Sequence, residues 1–212
     1  MNTNEPMFIS VEGIDGAGKS SVCNFIKGYL EEKTKINCTV ARQNKTEPVG
    51  KIIREFIRHN PEAKTVSDKV YPFLFLAGIA ETVENIIQPA LDRGEWVISD
   101  RFTLSTTVYQ NSTMTQLLLD DFERWFASPK YIFILDVPPP IIKKRILERK
   151  EEGDLFEDVP CETINARRKL FLDIANSSVR EAIVIDASRP IEEVLHSVQK
   201  YLDNIIVKVM GK

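Results

Sequence analysis

The stretch Gly13-Ile14-Asp15-Gly16-Ala17-Gly18-Lys19-Ser20 carries the clearest chemistry in the chain. Its pattern, G-x-x-x-x-G-K-S, sets glycines, a lysine and a hydroxyl where a polyphosphate can be held. The glycines let several backbone N–H groups face one anion. A helix beginning near Lys19 would add the positive end of its dipole. The Lys19 ammonium suits the β and γ phosphates of a nucleoside triphosphate, and the Ser20 hydroxyl suits Mg2+. Gly13, Ile14, Asp15, Gly16, Ala17, Gly18, Lys19, Ser20 and Ser21 are therefore expected to line the nucleotide. Arg42 and Asp100-Arg101 also stand directly after apolar, strand-like stretches.

Elements must hold these groups in place. Met7 to Val11 is an apolar run that reads as a buried strand. Ser21 to Glu32 reads as a helix, with Val22, Phe25, Ile26 and Tyr29 on one side. Further strands are expected at 37–41, 96–99, 131–137 and 182–185. Helices are expected at 50–60, 68–87, 104–127 with a break at 111–113, 141–150, 161–176 and 191–202. Pro72 would lie in a first helical turn, Pro89 would kink or restart a helix, and Pro48 would sit in a polar loop. Residues 151–159 are charged, contain a glycine and suit a mobile segment. Strands alternating with helices predict an α/β fold with a mostly parallel sheet, and ligands at the carboxyl ends of its strands. The phosphate-binding loop, Arg42 and Asp100-Arg101 all fall at such ends, which favours one shared site.

Composition narrows the function classes. With 212 residues, one domain over 1–212 is the expectation. A net charge of −3 argues against a nucleic-acid partner. Cys23, Cys38 and Cys161 are scattered without metal-ligand spacing, as suits free thiols in a reducing, cytoplasmic setting. No stretch approaches 18 apolar residues and no basic start precedes an apolar segment, so neither a membrane span nor a signal peptide is expected.

Asp100-Arg101-Phe102, with Ser105 and Tyr109-Gln110, forms D-R-F-x-x-S-x-x-V-Y-Q. This resembles the D-R-Y-x-x-S-x-x-A-Y-Q signature of thymidylate kinases. Val11-Glu12-Gly13-Ile14-Asp15-Gly16 is similar to that family's V-E-G-x-D-G. Gln88-Pro89-Ala90-Leu91, Leu135-Asp136-Val137 and Asp186-Ala187-Ser188 with Pro190 follow its order, and the resemblance spans roughly residues 7–200. It implies a P-loop NTPase fold, a three-layer α/β/α arrangement whose five-stranded parallel sheet has helices on both faces, with a lid at about 145–157. It implies transfer of the ATP γ-phosphoryl group to dTMP with Mg2+, and commonly a homodimer. In this resemblance Asp15 contacts the acceptor sugar, Arg42 and Arg101 hold the acceptor phosphate, and Phe75 stacks on the base. Asp100 would stand near the metal and its waters, with Ser20 as direct ligand. Ser105, Tyr109 and Gln110 complete the acceptor side. The loop has no arginine, which points to the lid side for the arginine at the transferring phosphate. Arg145, Arg149 and Lys150 are its candidates.

The chain departs from the family where the base is read. The family's edge-reading arginine is replaced by Ile79, and the lid's D-R-x-E appears as Asp154-Leu155-Phe156-Glu157. An acceptor other than dTMP therefore stays open, as do a deoxynucleoside kinase and a slowly hydrolysing nucleotide switch. A hydroxyl acceptor needs a general base, whereas a monophosphate is already nucleophilic and needs arginines. Arg42 and Arg101 favour the monophosphate.

Overall fold

The computed structural model describes residues 6–43, 45–148, 159–177 and 181–211. Its strands are β1 (Phe8–Gly13), β2 (Cys38–Arg42), β3 (Trp96–Asp100), β4 (Tyr131–Asp136) and β5 (Glu181–Asp186). They form one sheet in the order β2-β3-β1-β4-β5, and every neighbouring pair is parallel. Parallel strands need crossovers, and helices supply them. These are α1 (Lys19–Thr34), α2 (Pro48–His59), α3 (Tyr71–Thr82), α4 (Gln88–Asp92), α5 (Thr103–Tyr109), α6 (Thr113–Trp125), α7 (Pro139–Glu148), α8 (Cys161–Ser177) and α9 (Ile191–Met210).

Side chains of alternate strand residues point to opposite faces, and the core divides accordingly. Ile9 and Val11 of β1, with Trp96 and Ile98 of β3, join Val22, Ile26, Leu30, Phe171 and Leu202 from α1, α8 and α9. Phe8 and Val97 face the other way, toward Ile79, Val83, Leu119 and Phe122. Helices therefore cover both faces, as the resemblance implied. β1 and β3 are buried along their whole length, which explains why they read as continuous apolar runs.

The sequence order reverses around β1: the chain runs to β2 and β3 on one side, then to β4 and β5 on the other. The register sets Val11 beside Asp100, and Arg42 beside Asp100. That topological switch point is where the loop after β1 emerges and where such sheets hold ligands.

Prolines account for the main differences from the sequence reading. Pro48 occupies the first turn of α2 instead of a loop, where its missing N–H costs nothing. Pro139 and Pro140 likewise open α7. Pro61 ends α2 and starts a short 3-10 turn, Pro61–Thr65, that carried no helical signal. The expected helix over 68–87 begins at Tyr71 with Pro72 in its first turn, as read. It then widens into a π-helical turn at Val83–Ile87 before α4, whose first turn holds Pro89. The proline cannot continue an ordinary hydrogen-bond ladder, and the wider turn absorbs the mismatch.

Candidate functional site

The loop after β1 is shaped by two constraints. Gly13 has φ +137°, and a Cβ there would lie 2.8 Å from the Leu135 carbonyl oxygen of β4, so no other residue fits. Gly18 caps α1 in the left-handed region at φ +93°, which aims the first free N–H groups of the helix into the loop. The Lys19 ammonium donates to the Ile14 carbonyl at 2.8 Å and lies 4.0 Å from the Asp15 carboxylate. Burial and the nearby Arg101 charge lower its pKa to about 8. Ser20, in the first turn of α1, donates its hydroxyl to the Asp100 carboxylate of β3 at 2.6 Å. Ser21 follows it on the exposed side of the same turn. The loop and the end of β3 are thus tied into one site.

Arg101 is the hub of that site. It sits just past β3 at φ +72°, a left-handed conformation that a bulky side chain adopts at a cost of about 1–3 kcal/mol. Its own N–H donates to the Val11 carbonyl at 3.0 Å, and the next amide, of Phe102, donates to the Glu12 carboxylate at 2.7 Å. These bonds hold the strained turn. The guanidinium then spreads over three partners: Asp15 at 2.6 Å, the Ser105 hydroxyl at 2.7 Å and the Tyr109 hydroxyl at 3.3 Å. Tyr109 in turn donates to the second oxygen of Asp15 at 3.0 Å. Burial alone would raise the Asp15 pKa, but Arg101 and Lys19 outweigh it and hold the carboxylate well below its usual range. Burial and then the Asp15 charge push the Tyr109 hydroxyl up, so it stays protonated.

Glu12 lies beneath this cluster, wholly buried in β1. It accepts from the Ser105 hydroxyl at 2.6 Å as well as from the Phe102 amide. Burial raises its pKa to about 7, against the opposing pull of Ser105 and Arg101. The structure makes it the support of the Arg101 turn.

The remaining expected positions divide. Arg42, at the end of β2, donates to the Asn24 side chain at 3.1 Å while its buried Nε has no partner among the described residues. Phe75 is half-buried in α3 and stacks on Tyr71 with ring centres 6.3 Å apart. The buried amide nitrogen of Gln110 also has no partner among the described residues, a donor still to be used. Ile79 does not fit its expected place. It is 1% exposed and packed in the core with Val83, Phe102 and Leu119, on the buried face of α3. Ser105 is engaged internally by Arg101 and Glu12 rather than left open to an acceptor. Arg145 donates to the Ala187 carbonyl at 3.0 Å, at the loop after β5. Arg149, Lys150 and the 149–157 part of the expected lid lie outside the described residues.

Two features had no signal in the sequence. Arg167 of α8 places its guanidinium 4.5 Å from the centre of the Tyr109 ring, and Arg101 lies 5.1 Å from the same centre. Arg168, its neighbour, grips Asp136 of β4 with two bonds at 2.5 and 2.8 Å. Only packing of α8 against α5 and the sheet reveals that adjacent arginines do different work.

The arrangement can bind a polyphosphate at the loop, ligate a hard cation through Ser20 and Asp100, and present Arg101 to a second anion. A family model described as thymidylate kinase matches residues 11–198. A thymidylate kinase of Neisseria gonorrhoeae is 33% identical over 204 residues, 94% of this chain and 97% of that protein. One from Blochmanniella floridana is 31% identical over 201 residues, 92% and 94% of the two chains. One from Fervidobacterium nodosum is 33% identical over 199 residues, 92% and 97% of the two chains.

Proposed function

The chain belongs to the thymidylate kinase family, and on that premise we propose that it transfers the γ-phosphoryl group of ATP to dTMP, giving dTDP. It is an ATP-dependent nucleoside monophosphate kinase. The readings kept open above, another monophosphate, a deoxynucleoside or a nucleotide switch, are not favoured by the family match or by the relatives. The observation that carries the proposal is the Ser20–Asp100 bond, because it joins the ATP loop to the strand end that bears Arg101.

Catalysis of this kind is mostly positioning and neutralisation. Lys19 holds the β and γ phosphates, and the N–H groups of the loop and α1 face them. Arg101 leaves Asp15 in part to grip the acceptor phosphate with its planar fork, which a lysine could not match. Asp15, released on one oxygen, receives a hydroxyl of the acceptor sugar while Tyr109 keeps it oriented. Arg42 adds charge to the acceptor phosphate from β2, and Phe75 offers a ring face to the base. Gln110 supplies an edge donor that Ile79 cannot. Ser20 and Asp100 are the hard oxygen groups that would hold Mg2+, which would supply charge to screen the phosphates.

No helix among the described residues is long and apolar enough to cross a membrane. A cytoplasmic location rests on the three scattered cysteines. One domain is the reading that the single sheet supports. A homodimer is supported by Ile52, Phe73, Leu117 and Trp125, large apolar residues exposed on α2, α3 and α6, which pack side by side. The test of the activity is ADP release, coupled to an indicator reaction, with ATP, Mg2+ and each of the thymidine, deoxyuridine, deoxycytidine, deoxyadenosine and deoxyguanosine monophosphates. Thymidine monophosphate should give the highest kcat/KM. ADP release that no monophosphate stimulates would overturn the reading.

A further inference from the structure

A guanidinium that grips an arriving phosphate must be held at one end and released at the other. The side-chain partners of Arg101 divide in that way. Its Nη2 donates to Asp15 of the phosphate-binding loop at 2.6 Å and to the Tyr109 hydroxyl at 3.3 Å. Its Nη1 donates to the Ser105 hydroxyl of α5 at 2.7 Å. A guanidinium has donors only, so Ser105 must turn a lone pair toward it and send its own proton elsewhere. Glu12 receives that proton: the Ser105 hydroxyl donates to Glu12 Oε2 at 2.6 Å. The other carboxyl oxygen of Glu12 accepts from the Phe102 N–H at 2.7 Å. One wholly buried carboxyl group thus fastens Arg101 twice, through the residue that follows it and through the hydroxyl that meets its side chain. The Ser99 hydroxyl donates to the Arg101 carbonyl, and the Arg101 N–H donates to Val11, so the left-handed turn is tied on both sides.

We propose that Ser105, oriented by Glu12, is a positioning residue for the acceptor phosphate: it holds Arg101 Nη1 as a pivot while Nη2 is traded from Asp15 to that phosphate. This rests on the phosphoryl-transfer reading above. Ser105 is buried, and its proton and a lone pair are both engaged, so it acts on the acceptor through Arg101 and not by contact. A hydroxyl donates and accepts at once, so it can join a carboxyl group on one side to a guanidinium on the other. It carries no charge of its own, so it directs the guanidinium without pairing off the charge that an anion needs. The Asp15 bond has to yield in this exchange, whereas the Ser105 bond does not. The arginine therefore turns about a fixed point instead of searching for its target, and less ordering is left for the moment of binding.

The test measures Kd by calorimetry for thymidine monophosphate and for thymidine, with the native protein, Ser105→Ala, Arg101→Ala and the double variant. Ser105→Ala should bind thymidine monophosphate about tenfold more weakly, as for loss of one hydrogen bond to a charged group. It should bind thymidine as the native protein does, because only the phosphate meets Arg101. KM for thymidine monophosphate should rise by a like factor, while KM for ATP stays unchanged. In the Arg101→Ala background, Ser105→Ala should change thymidine monophosphate affinity by less than about twofold, since the hydroxyl then has nothing to aim. A pocket merely loosened by the substitution would weaken thymidine too, and would do so in both backgrounds. Glu12→Gln, compared with the native protein above about pH 7 where the Glu12 carboxyl is ionised, sets an amide donor where an acceptor is needed. It should show the same loss, confined to the monophosphate. No loss in Ser105→Ala, equal loss for thymidine and its monophosphate, or equal loss in both backgrounds would overturn the assignment. A native protein whose ADP release no monophosphate stimulates would instead overturn the phosphoryl-transfer reading. The comparison of ligands with and without a phosphate would still decide whether Ser105 acts through Arg101.

Discussion

A carboxyl group that titrates near neutrality inside a phosphate site couples stability to pH. In the folded chain Glu12 keeps its proton up to about pH 7, whereas its ordinary value is 4.5. Between those values the folded form binds more protons than the unfolded form, so this contribution is full below about 4.5 and is lost as pH rises through about 7. Its size is roughly 3 kcal/mol. Urea unfolding of the native protein and Glu12→Gln at a series of pH values should show this component in the native protein and not in the variant. Lys19→Ala should lower turnover by on the order of 10²–10³, the loss expected for a preorganised phosphate contact. Near-normal turnover in a folded Lys19→Ala protein would remove Lys19 from the reaction. At this scale the sequence was most legible where backbone geometry and chemistry coincide. Gly13, Lys19 and Ser20 announce themselves by spacing. Arg101 announced itself by its place after β3, though not the left-handed turn it must adopt. Arg167 could not be read, because its value depends on which side of α8 meets Tyr109.

Among elements, α2 shows how one helix end is borrowed from another. Its capping residue, Glu47, makes no side-chain bond to the free amides. Glu81 of α3 does so instead, accepting from Val49 at 3.0 Å and Gly50 at 3.1 Å. This ties the helix that carries Phe75 to the helix that follows Arg42. Glu81→Ala should cost about 1 kcal/mol, as for loss of a cap, and Glu81→Gln should return part of it in denaturant melts. The same helix α3 buries Ile79 in the core. Ile79→Arg would place a guanidinium among Val83, Phe102 and Leu119, and should destabilise by on the order of 3 kcal/mol. The ranking of monophosphates by kcat/KM should be unchanged, and a shift toward thymidine would mean that position 79 reads the base after all. Helix spacing had shown that 79 lies on an apolar helix. It could not show which way the side chain faces, since α3 is apolar nearly all round.

At the scale of the molecule, the alternation of strand and helix was enough to expect a parallel sheet, and the crossover rule left few ways to wind it. Strand order needed the structure, because periodicity says nothing about which strand sits beside which. Quaternary structure is where exposed apolar area has its say. Trp125 is 82% exposed and Ile52 69% exposed, unusual for side chains of this size on a lone subunit. Sedimentation should give twice the mass of the chain, and Ile52→Glu with Trp125→Glu should return the single mass. A native monomer at working concentrations would end the dimer proposal.

Gly13 seats the loop against the Leu135 carbonyl with no clearance on that side. A Cβ built on Gly16 would instead meet the side chains of Ile146 and Ile142 on α7 at 3.4 and 3.6 Å, ordinary van der Waals contact. The loop thus meets an unyielding surface at one glycine and a more compliant one at the other. A side chain at Gly13 would therefore press on main chain that cannot give way, whereas one at Gly16, itself in the left-handed region at φ +89°, would press first on side chains of α7.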